Sequence, residues 1–171
     1  SNDTWEFGEP DLVINAPAGQ VPAFGPDLYP HPEVPSGMTE DRYIKWMQVL
    51  PGDTKVVHHV LVTAHQRDSA LGPLLGAQRE PNQNGGGNGR QGNAGESVAM
   101  LAEYARGNDG DIFEDGQAKL LQAGATISFE FHYHPNGETA VTDKTRVGIK
   151  FFPKGYVPKH LISTRGISSS E

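Results

Sequence analysis

The sequence predicts an all-β protein, an antiparallel β-sandwich that carries one long Gly/Asn-rich loop insertion. Residues 126–133 alternate, with Ile127, Phe129, Phe131 and Tyr133 on one side of a strand and Ser128, Glu130 and His132 on the other. Further β-branched and aromatic runs are short and spaced by turn residues, which suits several strands better than a few helices. The 21 Gly and 13 Pro of the 171 residues supply those turns.

Taken in order, residues 5–8 read as a turn leading into a first strand at 11–14. The Pro- and Gly-rich stretch 16–38 is expected to run extended or turning, with little helix. Residues 42–49 mix apolar and polar positions as a strand, stopped by Pro51-Gly52-Asp53. The continuous β-branched run 56–64 predicts a central strand covered on both faces. Residues 80–97 hold nothing that can pack a core and form the loop insertion. For 97–105 periodicity leaves helix and strand open. Strands are expected at 118–121, 126–133 and 145–152, with a frayed tail from 163. One domain spanning 1–171 is long enough to bury a core without disulfides.

Composition narrows the function classes. A net charge of −7 without a basic cluster excludes a nucleic-acid groove. The absence of cysteine removes thiolate nucleophiles, disulfide frameworks and cysteine-based metal sites. There is no apolar run of membrane-spanning length and no signal-peptide core; the expected location is extracellular or periplasmic, with a leader already removed. No nucleophile elbow and no phosphate-cradling glycine loop occurs. The acidic turn around Asn108, Asp109, Asp111, Glu114 and Asp115 lacks the spacing of a calcium loop.

Chemistry concentrates in the histidines. Four of the seven fall in two apolar segments, Val56-Val57-His58-His59-Val60 and Phe129-Glu130-Phe131-His132-Tyr133-His134-Pro135. Converging neutral imidazoles ask for a metal, and with no thiolate the nitrogen-rich set points to copper or zinc. Adjacent His58 and His59 would face opposite sides of a regular strand, so sharing one ion requires a bulge or a strand end there. His132 is the third candidate ligand. His134, about 7 Å further along the same face, is a fourth ligand or a rim residue, and Glu130 is a candidate acceptor for an imidazole N–H. The competing reading is four separate histidines, each bonded to a backbone carbonyl. His31, His65 and His160 sit in polar or proline-rich surroundings and read as surface residues.

On these residues the chain resembles the amino-terminal half of the copper type II, ascorbate-dependent monooxygenases, which include peptidylglycine α-hydroxylating and dopamine β-monooxygenases. The resemblance rests on residues 51–61, 101–107, 127–137 and 143–149. It implies a jelly-roll-like β-sandwich with a mononuclear copper on His58, His59 and His132, reduced by ascorbate or another small reductant. In that family a second copper, held by a His-x-His pair and a methionine in the other half, activates oxygen across a solvent-filled cleft. Met38, Met47 and Met100 all precede His132, so none matches that methionine. Hydroxylation would then need a second copper domain or subunit. Two other functions are weighed beside this one. The sandwich could serve assembly, as a homo-oligomer or in protein interaction, with metal structural or absent. Copper storage is a third, disfavoured by three scattered methionines and no cysteine.

Overall fold

The computed structural model describes residues 4–67, 96–105, 110–112 and 117–161, and no helix occurs among them. The strands are β1 (Leu12–Asn15), β2 (Gly19–Val21), β3 (Glu33–Pro35), β4 (Arg42–Leu50), β5 (Val57–Arg67), β6 (Glu96–Ala105), β7 (Gly110–Ile112), β8 (Gln117–Leu121), β9 (Thr126–Tyr133), β10 (Val141–Asp143), β11 (Arg146–Phe151) and β12 (His160–Leu161). A four-stranded antiparallel sheet runs β3-β9-β5-β6. A six-stranded sheet follows β1-β11-β4-β8-β12, with β7 also paired to β4; β12 joins β8 in parallel. β2 and β10 form a short antiparallel ribbon.

The two larger sheets enclose one core, as the predicted sandwich requires. Met47, Val49, Val147 and Ile149 of the six-stranded sheet belong to the same buried cluster as Val60, Val62, Ile127, Phe129 and Phe131 of the four-stranded sheet. On β9 the inward rings stack in a row, Phe129 on Phe131 at 5.9 Å and Phe131 on Tyr133 at 4.8 Å between centroids. That row fixes the strand from behind, and truncating Phe131 to Ala is expected to cost about 3–5 kcal/mol. On β4, Trp46 faces Lys150 and Ile44 faces Phe151, so Lys45 is an extra residue in a bulge. The bulge returns Ile44 to the core beside Met47 and Val49.

One expectation is overturned here and others are settled or refined. β5 is central in its sheet but alternates: Val57, Val60, Val62 and Ala64 are buried while His59, Leu61, Thr63 and His65 are only partly so. The 56–64 run is therefore covered on one face, not two. Residues 97–105 lie in a strand, β6. The 16–38 stretch contains β2 and β3, and β10 and β12 add two more short strands that composition does not announce. Positions 96 and 97, assigned to the loop, begin β6, whereas 80–95 and the tail from 163 lie outside the described residues.

Candidate metal centre

Of the two ways for adjacent histidines to share one side, a bulge or a strand end, the structure has a bulge at the start of β5. Val57 faces Tyr133 and His59 faces His132 on β9, so His58 is the additional residue between two successive pairs. An extra residue resets the alternation, which lets neighbouring side chains share one side of the sheet. His58 is exposed and His59 half-buried. His132 lies directly opposite His59, the register that brings cross-strand side chains closest. The rings approach accordingly, with centroids 4.7 Å apart for His58 and His132, 5.1 Å for His59 and His132, and 6.0 Å for His58 and His59.

One buried carboxylate pins both strands where the histidines project. Asp143, 1% exposed, accepts the Tyr133 hydroxyl at 2.8 Å, the Thr145 hydroxyl at 2.7 Å and the Asp53 backbone N–H at 3.0 Å. Tyr133 immediately follows His132, and Asp53 opens the turn into β5. That turn is closed by the Asp53 carbonyl, which accepts Val56 N–H at 3.2 Å and Val57 N–H at 3.0 Å. Gly52 is required for the docking: a Cβ there would stand 2.3 Å from the Lys144 nitrogen and 2.7 Å from Asp143 Oδ1. Burial, reinforced by the Asp143 charge, pushes the Tyr133 phenol far above its ordinary range, so it stays a donor. The His134 backbone N–H closes the corner on the Val56 carbonyl at 2.8 Å.

The second support was not foreseen. Upstream of β3 the chain continues along the edge of β9, through paired bonds between Leu28 and Tyr133 (3.0 and 2.9 Å) and carbonyls of Pro30 and Pro32 that accept Phe131 and Phe129 N–H. Each proline offers β9 its carbonyl but has no N–H to return, so pairing beyond Leu28 runs one way. Leu28 packs on the core, and Tyr29 turns to the histidine side, stacking on His132 at 4.7 Å and 20°. Asp27 bridges two rings, with Oδ2 at 2.7 Å from His132 Nε2 and Oδ1 at 2.6 Å from His134 Nδ1. Bonding to His132 first, and to His134 second, holds the Asp27 carboxyl below the usual carboxylate range. The carboxylate that meets His132 is therefore Asp27, and Glu130 does not take that role.

Ligand nitrogens of His58, His59 and His132 lie within 4.8 Å of one another, and no other such group occurs among the described residues. No family model, curated protein or solved structure matches the chain. The centre thus stands on its own geometry. A metal with bonds of about 2.0–2.1 Å would set its nitrogens about 3.3–3.6 Å apart, so modest ring rotations close the set. These three residues can hold a metal ion.

The remaining candidates fall outside this group. His134 is bonded to Asp27, and its side chain, 66% exposed, lines a recess with Lys55, Pro135, Asn136 and Glu138. His65, at the far end of β5, is 3.8 Å from Glu33, and His31 is exposed, as expected of surface histidines. The acidic turn 108–115 lies mostly outside the described residues, apart from β7.

Proposed function

We propose that the chain is the copper-binding, electron-transfer half of an ascorbate-dependent monooxygenase-like system, with His58, His59 and His132 as the ligands. The observation that carries this reading is the convergence of three imidazoles from a bulged strand and its neighbour, with no thiolate in the chain. Copper held by imidazoles alone cycles between its two oxidation states and so supplies a one-electron store. The residues around it serve constancy of geometry. The aromatic row behind β9, the Asp143 bonds and the Tyr29 stack each restrict ring movement, which keeps reorganisation small when the ligand set must serve both states. Tyr29 and Phe24, 60% and 71% exposed, offer apolar surface on the segment that flanks the site, consistent with a second copper domain or subunit approaching from that side. Ascorbate or another small anion is the proposed reductant, and an extracellular or periplasmic setting would suit it.

The test is to load the full chain with one equivalent of cupric ion and follow its electron paramagnetic resonance signal as ascorbate is added without oxygen. The proposal predicts loss of the signal, its return on reoxidation, and no hydroxylated product from this chain alone. A signal that survives excess ascorbate would contradict it.

A further inference from the structure

We infer that Asp27 is a positioning residue that locks His132 in its Nε2–H tautomer, so that Nδ1 is the nitrogen presented to the metal. The same carboxylate holds His134 out of the ligand set. This rests on the three-histidine metal reading above and adds to it a fourth, indirect participant on a separate segment.

An ionised carboxylate only accepts hydrogen bonds, so the ring nitrogens 2.7 and 2.6 Å from Asp27 must both carry protons. A neutral imidazole has one N–H. With the His132 proton at Nε2, its free lone pair is at Nδ1; with the His134 proton at Nδ1, its free lone pair is at Nε2. The two rings therefore offer different nitrogens, and only His132 belongs to the converging group.

The neighbours of Asp27 fix the contact in space. Leu28, the next residue, exchanges both backbone bonds with Tyr133, the residue after His132. Tyr29, the residue beyond, lies flat against the His132 ring. The ring is thus held at one edge by a carboxylate and on one face by an aromatic plane, and its side chain is only 16% exposed. Charge points the same way. Three imidazoles bring no negative charge to a divalent ion, and a carboxylate one ring away raises ligand basicity while partly offsetting the ion's charge. Loss of such an outer partner typically weakens metal binding about 10- to 100-fold.

The experiment combines two readouts on the full chain and its Asp27→Asn, Asp27→Ala, His134→Ala and His132→Ala variants, with folding checked by circular dichroism. Long-range proton–nitrogen correlation spectra of the metal-free protein report which nitrogen of His132 is protonated. Competition titration with cupric ion reports affinity. Wild type should show His132 protonated at Nε2. Asp27→Ala should lose that single tautomer and bind cupric ion about 10- to 100-fold more weakly. Asp27→Asn keeps a carbonyl acceptor and should retain the tautomer with a smaller loss. A His132 protonated at Nδ1, or an Asp27→Ala variant with wild-type affinity, overturns the role given to Asp27. An affinity loss in His134→Ala as large as that in His132→Ala overturns the exclusion of His134. Wild-type protein that takes up no metal while His132 is protonated at Nε2 sinks the metal reading instead, so the two failures are told apart.

Discussion

On the six-stranded sheet the outer face around Trp46, Gln48 and Gly148 is closed by the chain's own amino-terminal residues, whereas on the four-stranded sheet the outer face is left half-exposed and carries imidazoles. Trp5 lies over Gly148, where a Cβ would come within 2.7 Å of its ring, and the Arg146 guanidinium sits 5.2 Å from the same ring. Phe7 packs edge-on against Trp46 at 5.7 Å, and Glu6 donates its backbone N–H to the buried Gln48 side chain at 2.8 Å. Even Gln48, a polar residue on that face, is thereby satisfied, and both faces of β4 from Trp46 to Leu50 are removed from water. On β5 and β9 the inward residues are as well packed, but the outward ones, among them His59, Leu61, Glu130 and His132, are partly exposed, with Ser128 the buried exception. The contrast separates two uses of a sheet surface. One contributes stability; the other keeps histidines rigid from behind and accessible in front.

If that division holds, substitutions should sort by face. The largest effect belongs to Asp143, which touches both the site and its support. Asp143→Ala strands the Tyr133 and Thr145 hydroxyls and the Asp53 N–H, and should cost about 3–5 kcal/mol by denaturant unfolding. It should also lower metal affinity, because the turn before His58 loses its anchor. Unchanged stability would mean that Asp143 does not pin the two strands.

Gly148→Val comes next. It should expel Trp5 from the covered face and destabilise by about 1–3 kcal/mol while leaving metal affinity as it was. His59→Ala reverses the pattern: metal binding should be lost, with stability within about 0.5 kcal/mol of wild type, as for other surface changes. A stability loss of several kcal/mol in His59→Ala would show that the open face is structural after all.

The smallest expected effect is at Asp11, at the edge of the covered sheet. Partial burial opposes ionisation there, but the Phe151 N–H at 3.0 Å and the Lys150 ammonium at 3.0 Å outweigh it and hold the carboxyl below its ordinary value. A carboxyl lowered in the folded state stabilises above its unfolded pKa and loses that contribution as pH falls through the folded value. Asp11→Asn should therefore flatten the acid end of the stability profile by about a few tenths of a kcal/mol, since the side chain is well exposed. Metal affinity near neutral pH should not move.

Legibility followed the same division. Strict alternation placed β9 with the correct limits and put His132 outward, because a half-buried strand writes its two environments into successive residues. The adjacent histidines required a bulge or a strand end, and the register contains a bulge. Leu61 misled: an apolar residue on the open face made 56–64 look covered on both sides. Asp27 was missed because its partner is 105 residues away and no local pattern connects them. The trace that existed was the order Asp27-Leu28-Tyr29, one apolar residue between two polar-tipped ones, hidden inside proline-rich sequence. The cover formed by Trp5 and Phe7 is likewise a tertiary contact that no spacing reports.

The central claim, that the open face of the four-stranded sheet holds one metal on three imidazoles, is tested most directly by pulsed electron paramagnetic resonance of the chain with one equivalent of cupric ion. The account predicts stoichiometric uptake with three coordinated imidazole nitrogens, and loss of that site in His132→Ala. No stoichiometric uptake, or the same spectrum from a chain lacking His58, His59 and His132, would contradict it.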